Sequence, residues 1–420
     1  MKNKITAFIL LAALALAVCV NLSSCGITVP VSANDDLMAG VEPRQLGDPG
    51  SVKEADAAAA ADFAVRLFRA CADGGENVLV SPLSVLAALS MTANGAKGQT
   101  LLEMETVLGL DKDDLNSFFR SYMNALKPTE KSKLSLANSI WFRDGGGFEA
   151  NRDFLSANAD YYGADAYRAP FDGSTLKKLN DWVKEKTDGM IPSILDSISR
   201  DDVMFLVNAL AFDAEWETVY FENQIRDGEF TREDGVKKTV PMMHGAEWDY
   251  LDDGSATGFI KYYSGGRFAF VAMLPNEGVS LSDYIASLDG EKLRETISSP
   301  KSGEVLTMIP KFGTEYSVPL AEVLKGMGMR IPFETSADFS ELGTSEYGPI
   351  MIGEVFHKTF ISVDERGTKA GAATIVEMNE GSAFMEEPKT VYLDRPFVYM
   401  LVDTETNLPF FIGALTDAGE

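Results

Sequence analysis

Residues 363–374, Val-Asp-Glu-Arg-Gly-Thr-Lys-Ala-Gly-Ala-Ala-Thr, follow a strand-like run from Glu354 to Val363 and then carry very little side-chain bulk. A loop kept only for solubility would hold more charge and more proline. Gly367 and Gly371 oppose a helix through the alanines. Two readings remain open from these residues alone. The stretch is a small-residue surface loop between two strands, or it is a segment that slides between existing strands without overpacking the core beneath.

The rest of the chain alternates helical and strand patterns. Ala55–Ala72 is helical, with Phe63, Leu67 and Phe68 at helical spacing. Asn77–Val80 is a short strand running into Ser81-Pro82, where Ser81 suits an N-cap and Pro82 the first helical position. Helices are expected over 100–110, 114–125, 151–162, 175–187 and 320–327, and strands over 134–142, 164–171, 268–274, 391–402 and 409–415. Asp202–Trp216 is apolar on both faces, which fits the centre of a sheet.

The first residues give the chain an address. Met1-Lys2-Asn3-Lys4 is positive, Ile5–Val20 is apolar but short for a membrane span, and Leu22-Ser23-Ser24-Cys25 resembles a bacterial lipobox. Residues 1–24 read as a lipoprotein signal, Cys25 as the lipidated first mature residue, and 25–52 as a flexible tether containing Pro30, Pro43 and Pro49. The expected location is the cell surface, anchored by lipid to a bacterial membrane. Beyond Cys19 and Cys25 only Cys71 remains, so no internal disulfide framework exists, and Cys71 reads as a small buried hydrophobe. A net charge of −26 opposes nucleic acid and anionic lipid as partners.

Histidine is scarce. Only His244 and His357 are present, which speaks against a Ser-His-Asp triad, and no G-x-S-x-G or H-E-x-x-H occurs. No metal or cofactor is expected. His244 reads as a turn or edge residue. His357 falls on the same strand face as Val355, Thr359, Ile361 and Val363, as a core histidine satisfied by hydrogen bonds.

Several stretches together resemble the serpins, the serine protease inhibitors with a mobile reactive loop. They are the hinge-like E-R-G-T-K-A-G-A-A-T at 365–374, the N-x-x-x-S-P-x-S-V from Asn77, and the strand ending in Trp216. Pro241-Met242-Met243, Ile309-Pro310-Lys311-Phe312, Arg395-Pro396-Phe397 and Phe411-Ile412-Gly413 fit the same order, and the likeness covers 53–417. It implies an α+β serpin fold in one domain, 53–420, with about nine helices and three β-sheets. One large, mainly antiparallel central sheet would lie beneath an exposed reactive loop at about 365–390. The resemblance implies a hinge of Glu365, Gly367, Thr368, Ala370, Ala372 and Ala373, and Trp216 under the point where the loop enters the sheet. It further implies a polar shutter of Ser81, Ser84, Asn208 and His357.

By the family's hinge-to-bond spacing Glu365 puts the cut bond at Gly381-Ser382. Counting back from Arg395-Pro396-Phe397 widens the range through Ala383 and Phe384 to Met385. The activity implied is not enzymatic. It is suicide inhibition of a serine protease, the partner, by a monomer: loop cleavage, trapping as a covalent acyl-enzyme, and insertion of the loop as a new strand. With Thr368 inward, Ala370, Ala372, Thr374, Val376 and Met378 also face inward, and every charge from 368 to 379 faces out. Residues 379–386 hold no Arg or Lys, so the target is elastase-like, or chymotrypsin-like if Phe384 or Met385 precedes the bond. The alternative is a non-inhibitory surface binding protein of the same fold, which the small inward residues Thr368, Ala370 and Ala372 oppose.

Overall fold

A computed structural model describes residues 35–72, 75–144, 148–198, 204–346, 348–368 and 387–419. The leader, Cys25, Ala370, Ala372, Ala373 and the expected cut region from Gly381 to Met385 lie outside the described residues.

Among the described residues the chain forms nine α-helices and three sheets. The helices are α1 (Glu54–Cys71), α2 (Pro82–Ala93), α3 (Gly98–Leu108), α4 (Lys112–Ala125), α5 (Arg152–Tyr162), α6 (Gly173–Lys186), α7 (Leu281–Ser287), α8 (Gly290–Ser298) and α9 (Ala321–Met327). Local chemistry sets several starts. Asp111, Asn151 and Asp172 each accept hydrogen bonds from first-turn N–H groups, and Pro82 opens α2.

The six-stranded sheet is built from β2 (Ser132–Arg143), β3 (Asp165–Ala169), β4 (Met204–Glu215), β10 (Phe312–Pro319), β11 (Phe356–Val363) and β12 (Gly367–Thr368). Their spatial order is β10-β11-β12-β4-β2-β3, antiparallel except where β2 meets β3. The nine-stranded sheet holds β1 (Val78–Val80), β5 (Ile225–Thr231), β6 (Lys237–Asp252), β7 (Ala256–Tyr262), β8 (Phe268–Pro275), β9 (Lys301–Pro310), β13 (Lys389–Tyr392), β14 (Phe397–Asp403) and β15 (Leu408–Leu415). A two-residue pairing of 149–150 with 343–344 completes the set.

The central expectation for 202–216 holds, since β4 is covered on both faces. Leu206, Leu210, Phe212 and Ala214 join the main core with α1 and α2. Phe205, Val207 and Ala209 join a second cluster under α6 with Leu179, Trp182 and Val183. His244 differs from its reading, because it lies within β6, paired to Met308 of β9. Cys71 is buried as a free thiol, and burial pushes it up to about 12.

Part of the stretch read as a tether, residues 35–52, makes defined contacts. Its first residues lie along the free edge of β3, where Leu37 N–H donates to Ala166 O (2.9 Å) and Arg168 N–H to Asp35 O (2.7 Å), and its later ones reach α4, where Ser121 Oγ donates to Pro49 O (3.1 Å). Arg44 pairs with Asp160 (2.5 Å), whose side chain is fully buried, and Leu37, Met38 and Val41 pack on the core.

Candidate functional site

Trp216 follows directly on β4, and the hinge passes over it. The Trp216 backbone N–H donates to Arg366 O (2.8 Å), its indole N–H to Asp364 O (2.8 Å), and the Tyr220 N–H to Glu365 O (2.9 Å). Asp364 turns the chain by accepting from Arg366 N–H (2.8 Å) and Gly367 N–H (3.3 Å) on its own Oδ1. Glu365 forms an ion pair with Lys311 Nζ (2.5 Å), which holds its carboxyl below the usual range. Trp216 is pinned from below by Tyr263, whose ring stacks on it at 4.3 Å and 14°.

Gly367 and Thr368 then enter the sheet. They pair with Glu215 and Ala214 of β4 on one side, and Thr368 pairs with Val363 of β11 on the other. Gly367 has φ +154°, and a Cβ there would lie 2.0 Å from Ala214 O, so glycine is required. Thr368 is 3% exposed and faces the core, with its hydroxyl 2.6 Å from the Tyr263 hydroxyl. Its inward phase, expected from the sequence, is the one observed.

Among the described residues no register pair joins β4 to β11 directly. Below the hinge the two strands meet the junction of β1 and α2. His357 on β11 accepts a hydrogen bond at Nε2 from Ser81 N–H (3.0 Å), and Thr359 donates to Leu79 O (2.7 Å). On the β4 side Ser84 Oγ donates to Asn208, and Asn208 donates to Asn138 on β2. The four expected shutter residues therefore converge, as two half-networks joined through residues 79–84. The Ser81 hydroxyl does not cap α2; it is spent on Phe410 O (2.9 Å), because the junction is buried against β15. His357 is 5% exposed, and burial lowers its pKa to about 4.

Asn138, Lys311, Tyr220 and Tyr263 belong to this site and were not singled out from the sequence. Lys311 was in view within Ile309-Pro310-Lys311-Phe312. Asn138 would have needed the strand register that sets it directly opposite Asn208.

The comparisons with known proteins agree on this architecture. Residues 58–418 match the family model described as Serpin (serine protease inhibitor). The chain is 32% identical over 362 residues to an uncharacterized serpin-like protein of Thermococcus kodakarensis, covering 84% of this chain and 83% of that one. It is 31% identical to the leukocyte elastase inhibitor of Equus caballus, over 84% of this chain and 96% of that one. Among solved structures it matches the thermophilic serpin tengpin in the native state, at 44% identity and a TM-score of 0.86, covering 91% of this chain and 99% of that one. The latent state of tengpin matches at a TM-score of 0.77, 42% identity, and 87% and 98% coverage.

The sheet, the hinge that enters it and the polar shutter beneath define the serpin fold, whose typical members are protease inhibitors and not enzymes. The chain belongs to the serpin family.

Proposed function

We propose that the chain is a single-use inhibitor of extracellular serine proteases, acting through cleavage and insertion of its own loop. The carrying observation is the register of Gly367-Thr368, already paired between β4 and β11. Continuing that register would bring Ala370 opposite Phe212 and Ile361, Ala372 opposite Leu210 and Thr359, and Thr374 opposite Asn208 and His357. The one polar inward residue after the alanines would thus meet the polar shutter. Apolar Val376 would face Leu206.

In the proposed reaction the protease serine attacks the loop carbonyl at Gly381, the Gly381-Ser382 bond breaks, and Gly381 stays esterified to the enzyme. The freed hinge extends downward from Thr368 as a new central strand. Each inserted residue gains ladder hydrogen bonds on both sides and buries its inward face. Before cleavage the protein is held by a barrier, not by equilibrium. The absence of Arg and Lys from 379–386 favours an elastase-like target, with a chymotrypsin-like one if the bond lies at Phe384 or Met385. Lipidation at Cys25 would display the inhibitor on a bacterial surface.

Incubation with pancreatic elastase or chymotrypsin, followed by denaturing electrophoresis, tests the reading. A boiling-resistant band at the combined mass is expected, and mass spectrometry of the released fragment locates the bond. Cleavage by both enzymes with neither retained would falsify the inhibitor reading.

A further inference from the structure

The 216–220 segment that holds the hinge rests on a buried cation that none of the sequence motifs contains. Lys261, on β7, is 2% exposed. Its ammonium donates to Glu247 on β6 (2.8 Å) and to Thr218 O (3.2 Å), and it lies 4.5 Å from the centre of the Tyr220 ring and 5.3 Å from that of Trp216. One ammonium therefore holds residues 216, 218 and 220 at three points. Trp216 and Tyr220 are the two residues whose N–H groups grip the hinge backbone from Asp364 to Arg366. The same strand end provides the rest of the floor: Tyr262 O accepts from Glu217 N–H (3.0 Å), and Tyr263 stacks on Trp216.

We infer that Lys261, paired with Glu247, is a positioning residue that holds the 216–220 segment so that the hinge enters the six-stranded sheet in register. A cation over desolvated aromatic faces is strongly held, and a lysine with its carboxylate partner costs least when both stay in place. Turning the hinge into a strand requires a fixed pivot above Gly367. Trp216 and Tyr220 are that pivot, and Lys261 keeps them from swinging with the loop. With the pivot loose, a cut loop inserts late, and the acyl-enzyme has time to hydrolyse. Lys261 thereby sets the division between trapping and simple cleavage.

The inference rests on the insertion reading, and the experiment separates the two. The loop is nicked by a non-target protease, and the rate at which the protein gains heat resistance is followed. A wild-type chain that gains none overturns the insertion reading itself. With the wild type inserting, Lys261→Met is expected to insert roughly threefold to tenfold more slowly, and to raise the inhibitor consumed per protease by a similar factor. Lys261→Arg should return both values close to wild type. Asn116→Ala, which removes a buried polar contact to Asn94 between α2 and α4 (3.0 Å), should lower the melting midpoint without moving either value. If Lys261→Met does not fold, the double variant Lys261→Met/Glu247→Gln carries the test, because it leaves no lone buried charge. Insertion at the wild-type rate in a folded Lys261→Met or double variant overturns the assignment.

Discussion

His357 couples the shutter to pH. Its Nε2 must be unprotonated to accept the Ser81 N–H, and burial lowers its pKa from 6.5 to about 4. The unfolded chain takes up this proton near pH 6.5, whereas the folded chain resists until about 4. Its contribution is therefore fully present above pH 6.5 and is lost as pH falls from 6.5 to 4, by about 3 kcal/mol in all. Denaturant midpoints across this range should fall in the wild type and fall markedly less in His357→Gln. His244 titrates with the same sign, since burial lowers its pKa too, and it remains in both proteins. His357 was legible from strand alternation alone. Lys261 and Tyr263 were not, because a lysine and a tyrosine near the end of a strand read as surface residues until β7 is seen to run beneath Trp216.

The decisive element is one of the shortest. Strand β12 has two residues, and its geometry depends on Gly367. Gly367→Ala would drive a Cβ into Ala214 O and strip the hinge from the sheet, a strain on the order of 2 kcal/mol. Hydrogen exchange of the Trp216 amide, which donates to Arg366 O, should quicken in that variant while amides of β15 stay unchanged. Periodicity located α1, α4, α5 and α9 and the strands β1, β4, β8 and β15 to within two residues, but the one strand expected over 391–402 is two, β13 and β14, and α7, α8, β5, β6, β7, β9 and β10 were not marked out. It could not see that residues 35–52 are bound to β3, α5 and α4. That stretch has no sustained apolar period, and its anchors, such as Arg44 with Asp160, lie far apart in sequence. Nor could it divide the shutter, because residues 79–84 touch β4 and β11 through side chains and single N–H groups.

Across the whole molecule, β4 and β11 run parallel to one another, each antiparallel to the two residues between them. On the proposed insertion reading, a strand continuing from Thr368 would complete two antiparallel ladders at once, and the uncut protein would lie above its most stable arrangement. Nicking the loop should therefore raise the melting midpoint instead of lowering it, and calorimetry of intact and nicked protein checks this. A midpoint that falls on nicking would place the intact form at its minimum and remove the driving force for trapping. The closer likeness to native than to latent tengpin fits the uncut arrangement.

The contacts of residues 35–52 also set a distance. A free tether from Cys25 to Val52 would let the domain roam up to about 90 Å from an anchoring lipid. With Asp35 bonded to β3, the fixed part of the chain begins at residue 35, and ten links, at most about 35 Å of chain, separate it from Cys25. Were Cys25 the lipid anchor proposed, that span and not about 90 Å would bound the reach of the domain.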